Sequence, residues 1–168
     1  MIWNRYSYFT SVLRRRPQAV AFLRGSSDFP DIYGIVRFYT TQEGTLVAAD
    51  VGGLPRGNGE CGGRIFGFHI HEGESCTGSG DDHFADALSH YDTHSCPHPY
   101  HAGDMPPLFG CGGNAFSVFL TDRVTVAELM GRTVIIHDSP DDFTTQPSGG
   151  AGTKIACGVI IPTARHRW

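Results

Sequence analysis

The stretch GFHIHEGESC, residues 67–76, sets two histidines one residue apart in an apolar run. In a β-strand, side chains alternate between faces, so positions i and i+2 point the same way. His69 and His71 therefore share one face, and Phe68 and Ile70 share the other. The apolar face suits a core. The other face presents two imidazoles side by side, as a metal site does. Two hydrogen-bonded histidines on a half-buried strand would give the same pattern.

Working outward, short apolar runs bounded by turn residues recur along the chain. They are QAVAFLR (18–24), IYGIVRFYT (32–40), TLVAADV (45–51), AFSVFL (115–120), TVIIH (133–137) and IACGVII (155–161). MPPLF (105–109) is weaker, because proline favours an edge or a loop. With the opening stretch, this predicts seven short strands and one weak one, arranged as an antiparallel sandwich or barrel. Only TVAELMG (125–131) hints at a helical period. Residues 1–17 read as a helical or irregular N-terminal extension, and residues 18–168 as one domain.

Composition agrees. The chain has 168 residues, 22 of them glycine and 10 proline, which points to many turns. A net charge of −4 gives no sign of a nucleic-acid partner. No apolar run is long enough for a transmembrane helix, so no membrane partner is expected. The N-terminus, MIWNRYSYFTSVLRRRP, has no uninterrupted apolar segment of the secretory kind. The expectation is a cytoplasmic protein. The five cysteines, Cys61, Cys76, Cys96, Cys111 and Cys157, contain no C-x-x-C pair.

Eight of the nine histidines lie between His69 and His137. Two long segments interrupt the strands, and long loops in a compact domain are usually functional. The first, residues 72–105, carries His83, His90, His94, His98 and His101, followed by Asp104. Three histidines and one aspartate make a plausible tetrahedral zinc set. The second, residues 138–153, is rich in acids and glycine. His137 stands at its start, as His71 stands at the start of the first.

The motifs GFHIHE, HAGDMP, GRTVIIHDSPDD and AGTKIACGVI, in that order, resemble the copper/zinc superoxide dismutase family. The resemblance covers roughly residues 18–162. It implies an eight-stranded antiparallel Greek-key β-barrel, an immunoglobulin-like sandwich, with two long functional loops. It implies copper and zinc as cofactors, superoxide anion as substrate, and oxygen and hydrogen peroxide as products. Many members are homodimers, so a second copy of the chain is a candidate partner.

By this resemblance His69, His71 and His137 are copper ligands, and His101 and Asp104 are zinc ligands. The family also needs a histidine bridging both metals and a further zinc histidine about eight residues later. His83 fails, because Tyr91 stands eight residues on; His90 succeeds, because His98 does. His90 is therefore assigned as the bridge and His98 as the remaining zinc ligand, with His83 and His94 left to solvent. The bridge is also catalytic, as a carrier of protons. Asp141 resembles the carboxylate that tethers a copper histidine to a zinc histidine, with Asp142 the competing choice.

Lys154 replaces the arginine usual before ACGV. It keeps the positive charge that draws an anion but lacks the planar fork. That departure keeps open a copper-binding or metal-buffering protein on the same fold. The resemblance also pairs Cys76 with Cys157. Cys61 and Cys111 are both flanked by glycines, in turns expected at the end away from the metals, so a second disulfide is predicted between them. Cys96 is left unpaired.

Overall fold

A computed structural model of the chain describes residues 5–57 and 64–164. It contains one α-helix, α1 (Arg5–Leu13), and nine strand segments. These are β1 (Ala19–Gly25), β2 (Tyr33–Thr41), β3 (Gly44–Gly52), β4 (Ile65–Phe66), β5 (Phe68–His71), β6 (Leu108–Phe109), β7 (Ala115–Thr121), β8 (Thr133–His137) and β9 (Lys154–Pro162). Seven form one sheet in the order β5-β8-β9-β1-β2-β3-β7, with every neighbouring pair antiparallel. β4 runs into β5 across Gly67, so the two are one interrupted strand and the strand count is the expected eight. The weak candidate MPPLF contributes β6, which pairs with β4 through Ile65–Phe109 and Phe66–Leu108. β6 also lies beside β7, so this short ladder stands between the two edge strands of the large sheet.

The core follows the period-2 pattern. Leu23, Val36, Phe38, Val47, Val51, Phe66, Phe68, Ile70, Val134, Ile136 and Ile160 point inward and form one buried cluster. Val126 and Leu129 join it from the segment that hinted at a helix. That segment is instead a series of turns. Glu128 accepts bonds from both the backbone N and the Oγ1 of Thr125, each at 2.7 Å, which closes a local turn rather than propagating a helix.

The N-terminal extension is a helix with a partner. Val12, flanked by Tyr8, Phe9 and Leu13, packs on Tyr39, Leu46 and Ala48 of the outer sheet face. Among the described residues, no helix is long and apolar enough to cross a membrane.

Two features of the sheet prepare the site. On β9, Ala156 pairs with Ile136 and Lys154 pairs with His137, so Ile155 is an extra residue. Such a bulge re-aims side chains. Here Ile155 goes to the core, and Lys154 comes to stand opposite His137. The free edge of β5 is covered by the first long loop. Ile70 N donates to Gly103 O at 2.9 Å and Tyr91 N donates to Ile70 O at 2.8 Å. Only glycine fits at 103, where a Cβ would sit 2.2 Å from Ile70 O.

The predicted Cys76–Cys157 disulfide is present and ties this loop to β9. It covers Phe84, Ala87 and Ile135 in a small apolar layer outside the barrel. The predicted Cys61–Cys111 bridge falls on Cys61, outside the described residues; Cys111 carries an exposed free thiol, and Cys96 is also free. The bridged cysteines are 81 residues apart in sequence. Closing so long a loop restricts the unfolded chain by about 4 kcal/mol in the chain-entropy account. A Cys76→Ser/Cys157→Ser double variant should therefore lose about that much in urea unfolding at neutral pH, and a loss under about 1 kcal/mol would contradict the assigned role.

Candidate metal centre

β5 and β8 run side by side, with His69 opposite Ile135 and Ile70 opposite Val134. The outward face of this pair carries His69, His71 and His137, and the first loop lays His90 over it through an isolated bridge to His71. One ligand atom from each of His69, His71, His90 and His137 falls within a 4.8 Å span, and all four residues are buried. A second set, His90, His98, His101 and Asp104, meets the same description. His90 belongs to both. Of the other loop histidines, His83 pairs with Asp28 at the surface and His94 is exposed.

The hydrogen bonds around these rings define which nitrogens are free. His71 Nδ1–H donates to Leu88 O at 2.8 Å, and His137 Nδ1–H donates to Gly152 O at 3.2 Å. In these tautomers both Nε2 atoms are unprotonated, and they face each other at 3.3 Å. Two lone pairs so placed repel unless a cation lies between them. His69 Nε2–H donates to Asp141 Oδ2 at 2.7 Å, which leaves His69 Nδ1 buried and unpartnered. His90 Nδ1–H donates to Asp104 Oδ1 at 2.7 Å, which leaves His90 Nε2 in the same condition.

The second set converges on the Asp104 carboxylate. His98 Nδ1 and His101 Nδ1 stand 3.1 and 3.2 Å from Asp104 Oδ2, yet neither has a hydrogen-bond partner. Ligands about 2.0–2.1 Å from one tetrahedral ion are spaced about 3.3 Å apart. The observed spacings match that edge, so the atoms are arranged around a point rather than bonded to one another. Buried nitrogens without partners are costly, and a metal at each convergence point removes the cost. The donors fit the two metals differently. Four imidazoles suit a redox-active copper, and three imidazoles with a carboxylate suit zinc.

Electrostatics prepare the same state. Burial, aided by the nearby His69, lowers the pKa of His137 to about 3. Burial also lowers His71 well below its ordinary value, with His137 and His90 adding to the effect. Both rings are therefore neutral at neutral pH and able to ligate. For Asp104, burial raises the pKa, but the hydrogen bond from His90 and the surrounding imidazoles outweigh it and hold the carboxyl low.

Asp141 connects the two sets. Its Oδ2 takes His69 Nε2–H, and its Oδ1 takes His98 Nε2–H at 2.9 Å. Asp142 makes its bonds to Thr144 and Thr145 instead, so the choice between the two acids falls on Asp141. Gly149 lies against this tether at φ +68°, where a Cβ would come 2.1 Å from Asp141 Oδ1. Three supports were not visible in the sequence. Gln146 grips the His98 backbone at both N and O, at 3.0 and 2.7 Å. The carbonyls of Leu88 and Gly152 set the histidine tautomers. Backbone acceptors and amide clamps of this kind carry no residue-type signature.

A cavity of about 650 Å³ opens onto His71, His90, His101 and His137. Its rim includes Asp81, Asp82, Thr153 and Lys154. Lys154, expected to supply at this mouth the positive charge that draws an anion, is 14% exposed in its side chain and forms an ion pair with Asp82 at 2.8 Å.

The sequence profile of the copper/zinc superoxide dismutase family matches residues 32–160 of this chain. The copper–zinc superoxide dismutase of Legionella pneumophila is 34% identical over 139 residues, 78% of this chain and 79% of the relative. The second such protein of Aquifex aeolicus is 32% identical, with 77% and 80% covered. The A form from Xenopus laevis is 31% identical, with 85% and 96% covered.

Burial raises the pKa of Asp141, but hydrogen bonds from His69, the Phe143 backbone and His98 outweigh it and bring it to about 2. An unfolded aspartate titrates near 3.9. The stabilisation from Asp141 is thus fully present above about pH 4 and is lost as pH falls through about 2. In metal-free protein, urea midpoints measured from pH 5 to 2 should fall less steeply for Asp141→Asn than for the parent chain. Identical slopes would remove Asp141 from the linkage.

Proposed function

The chain belongs to the copper/zinc superoxide dismutase family, and from that premise we propose that it disproportionates superoxide to oxygen and hydrogen peroxide. In this reading His69, His71, His90 and His137 hold copper, and His90, His98, His101 and Asp104 hold zinc. The observation that carries the reading is the pair of unprotonated Nε2 atoms on His71 and His137, 3.3 Å apart in a buried site with His90 between the two ligand sets. Bound copper supplies one-electron redox chemistry, and bound zinc supplies a fixed positive charge without redox chemistry of its own.

The residues of the chain do the rest. Asp141 and the carbonyls of Leu88 and Gly152 fix ring orientation. His90 turns Nδ1 towards Asp104 and keeps Nε2 without a partner, so Nε2 is the atom at which this ring would hold a proton. Lys154 provides the positive contact for the anion at the mouth of the cavity. The alternative of a metal-buffering protein is not favoured, because the relatives matched over most of the chain bear an enzyme's name.

We place a second copy of the chain on the outer sheet face, as a homodimer. There Phe22, Tyr33 and Phe116 are 58%, 61% and 73% exposed. Exposed aromatic patches of this kind favour protein partners. Sedimentation velocity should give a dimer for the parent chain and a monomer for Phe116→Arg; a monomeric parent chain would contradict the placement.

The function is tested by superoxide consumption after reconstitution with copper and zinc. The expected result is rapid consumption with one copper and one zinc per chain. His137→Ala should lower the rate by about a hundredfold or more, the scale at which loss of a key catalytic contact is felt. Asp104→Ala should lose zinc before copper. A parent chain that binds both metals and consumes no superoxide would contradict the proposal.

A further inference from the structure

Lys154 is the only lysine in the chain; the other basic residues are all arginines. The bulge at Ile155 places it across from His137, on the rim of the cavity that leads to the histidines. Its Nζ donates to Asp82 Oδ2 at 2.8 Å and to Phe84 O at 3.1 Å. The other oxygen of the same carboxylate accepts Phe84 N–H at 3.0 Å, so Asp82 is itself held by the loop. The disulfide at Cys76 pins that loop to β9, the strand that carries Lys154. The ammonium is therefore fixed in place and compensated at contact distance.

Among the described residues, the charged side chains lining this cavity, besides histidines, are Asp81, Asp82, Asp92 and Lys154. Asp92 uses both carboxylate oxygens on backbone N–H groups, those of His94 and Cys96. Among the described residues, the one cation of the rim thus stands among three acids, and the chain as a whole is at −4. A lone charge acts at long range. A charge paired at 2.8 Å acts as a dipole, whose field falls off faster with distance.

We propose that Asp82 is a positioning residue that fixes Lys154 at the cavity rim and cancels its long-range attraction, so that Lys154 docks an anion that has already arrived rather than steering it from solution. This rests on the superoxide reading of the site. It makes Asp82 a determinant of how the rate responds to salt. An enzyme steered by an uncompensated rim charge slows steeply as salt screens that charge. Here the paired rim should give a shallow dependence.

The test compares the parent chain with Asp82→Asn and Asp81→Asn, each loaded with copper and zinc. Asparagine at 82 keeps the shape and one acceptor oxygen, which can serve Lys154 or Phe84 N–H but not both, and removes the charge. Superoxide consumption is measured against ionic strength, and azide affinity is read at low salt from the copper absorption band. In addition, metal-free protein is treated with an amine-acylating reagent, and acylation of the single lysine is followed by peptide mass. Asp82→Asn should raise the low-salt rate and tighten azide by about threefold, the scale of one unscreened charge several ångströms away in water. It should also steepen the fall with salt and speed acylation of Lys154.

Asp81→Asn, which removes a rim charge that is not paired with Lys154, should change all three less. Unchanged salt dependence and azide affinity in Asp82→Asn would overturn the proposal, as would equal effects from the two variants. If the parent chain consumed no superoxide, the functional reading would fail instead, and azide binding and acylation would still decide the role of Asp82.

Discussion

Two imidazole lone pairs face each other across 3.3 Å in a buried site at the floor of an open cavity, and the rest of the structure serves to hold them there. Left alone, His71 and His137 would turn away or protonate. They do neither because each ring is pinned at Nδ1 by a backbone carbonyl, and because burial disfavours the charged form. His69 is likewise held in place by the Asp141 carboxylate, and His90 by that of Asp104. A folded chain that keeps several unpartnered nitrogens in its interior stores a demand for cations. Metal affinity on this view is built from hydrogen bonds made on the far side of every ring.

That arrangement explains features that otherwise look unrelated. The barrel supplies rigidity at β5 and β8, where inward Phe68, Ile70, Val134 and Ile136 lock the strands that carry the histidines outward. The loop ligands have no such lock of their own and are held by attachments. Arg132 donates to the Glu72 carbonyl and lies over the Tyr91 ring, 4.8 Å from its centre. Arg123 donates to Pro99 O at 2.9 Å. Gln146 clamps His98, and the disulfide fixes the start of the loop. Two glycines make room, Gly103 against β5 and Gly149 against Asp141.

Much of this was legible in the sequence, and the physical reason is locality. Strand alternation around Phe68–His71 and Thr133–His137 is a property of neighbouring residues, so the barrel strands and the shared face of His69 and His71 could be read directly. The choice of His90 over His83 rested on spacing to His98, and the structure brings His90 and His98 to the same carboxylate. What escaped was non-local. A helical or irregular extension at residues 1–17 was within reach of the sequence, but the docking of Arg5–Leu13 on Tyr39, Leu46 and Ala48, residues distant in sequence, was not. Thr125–Gly131 carried the hint of a period, but local Thr125–Glu128 bonds and core burial of Val126 and Leu129 turned it into turns. The bulge at Ile155 and the pairing of Lys154 with Asp82 depend on strand register and on a loop 72 residues away. A sequence shows the charge of Lys154 without showing its partner.

The claim on which the account turns is that His90 joins two metals. It is tested most directly by a crystal structure of protein reconstituted with copper and zinc, with anomalous scattering recorded at both absorption edges. The account predicts two peaks separated by the His90 ring. The copper peak should lie beside His69 Nδ1, His71 Nε2 and His137 Nε2, and the zinc peak beside His98 Nδ1, His101 Nδ1 and Asp104. A single peak, a metal ligated by His83, or a His90 ring that touches only one of the two ions would contradict it.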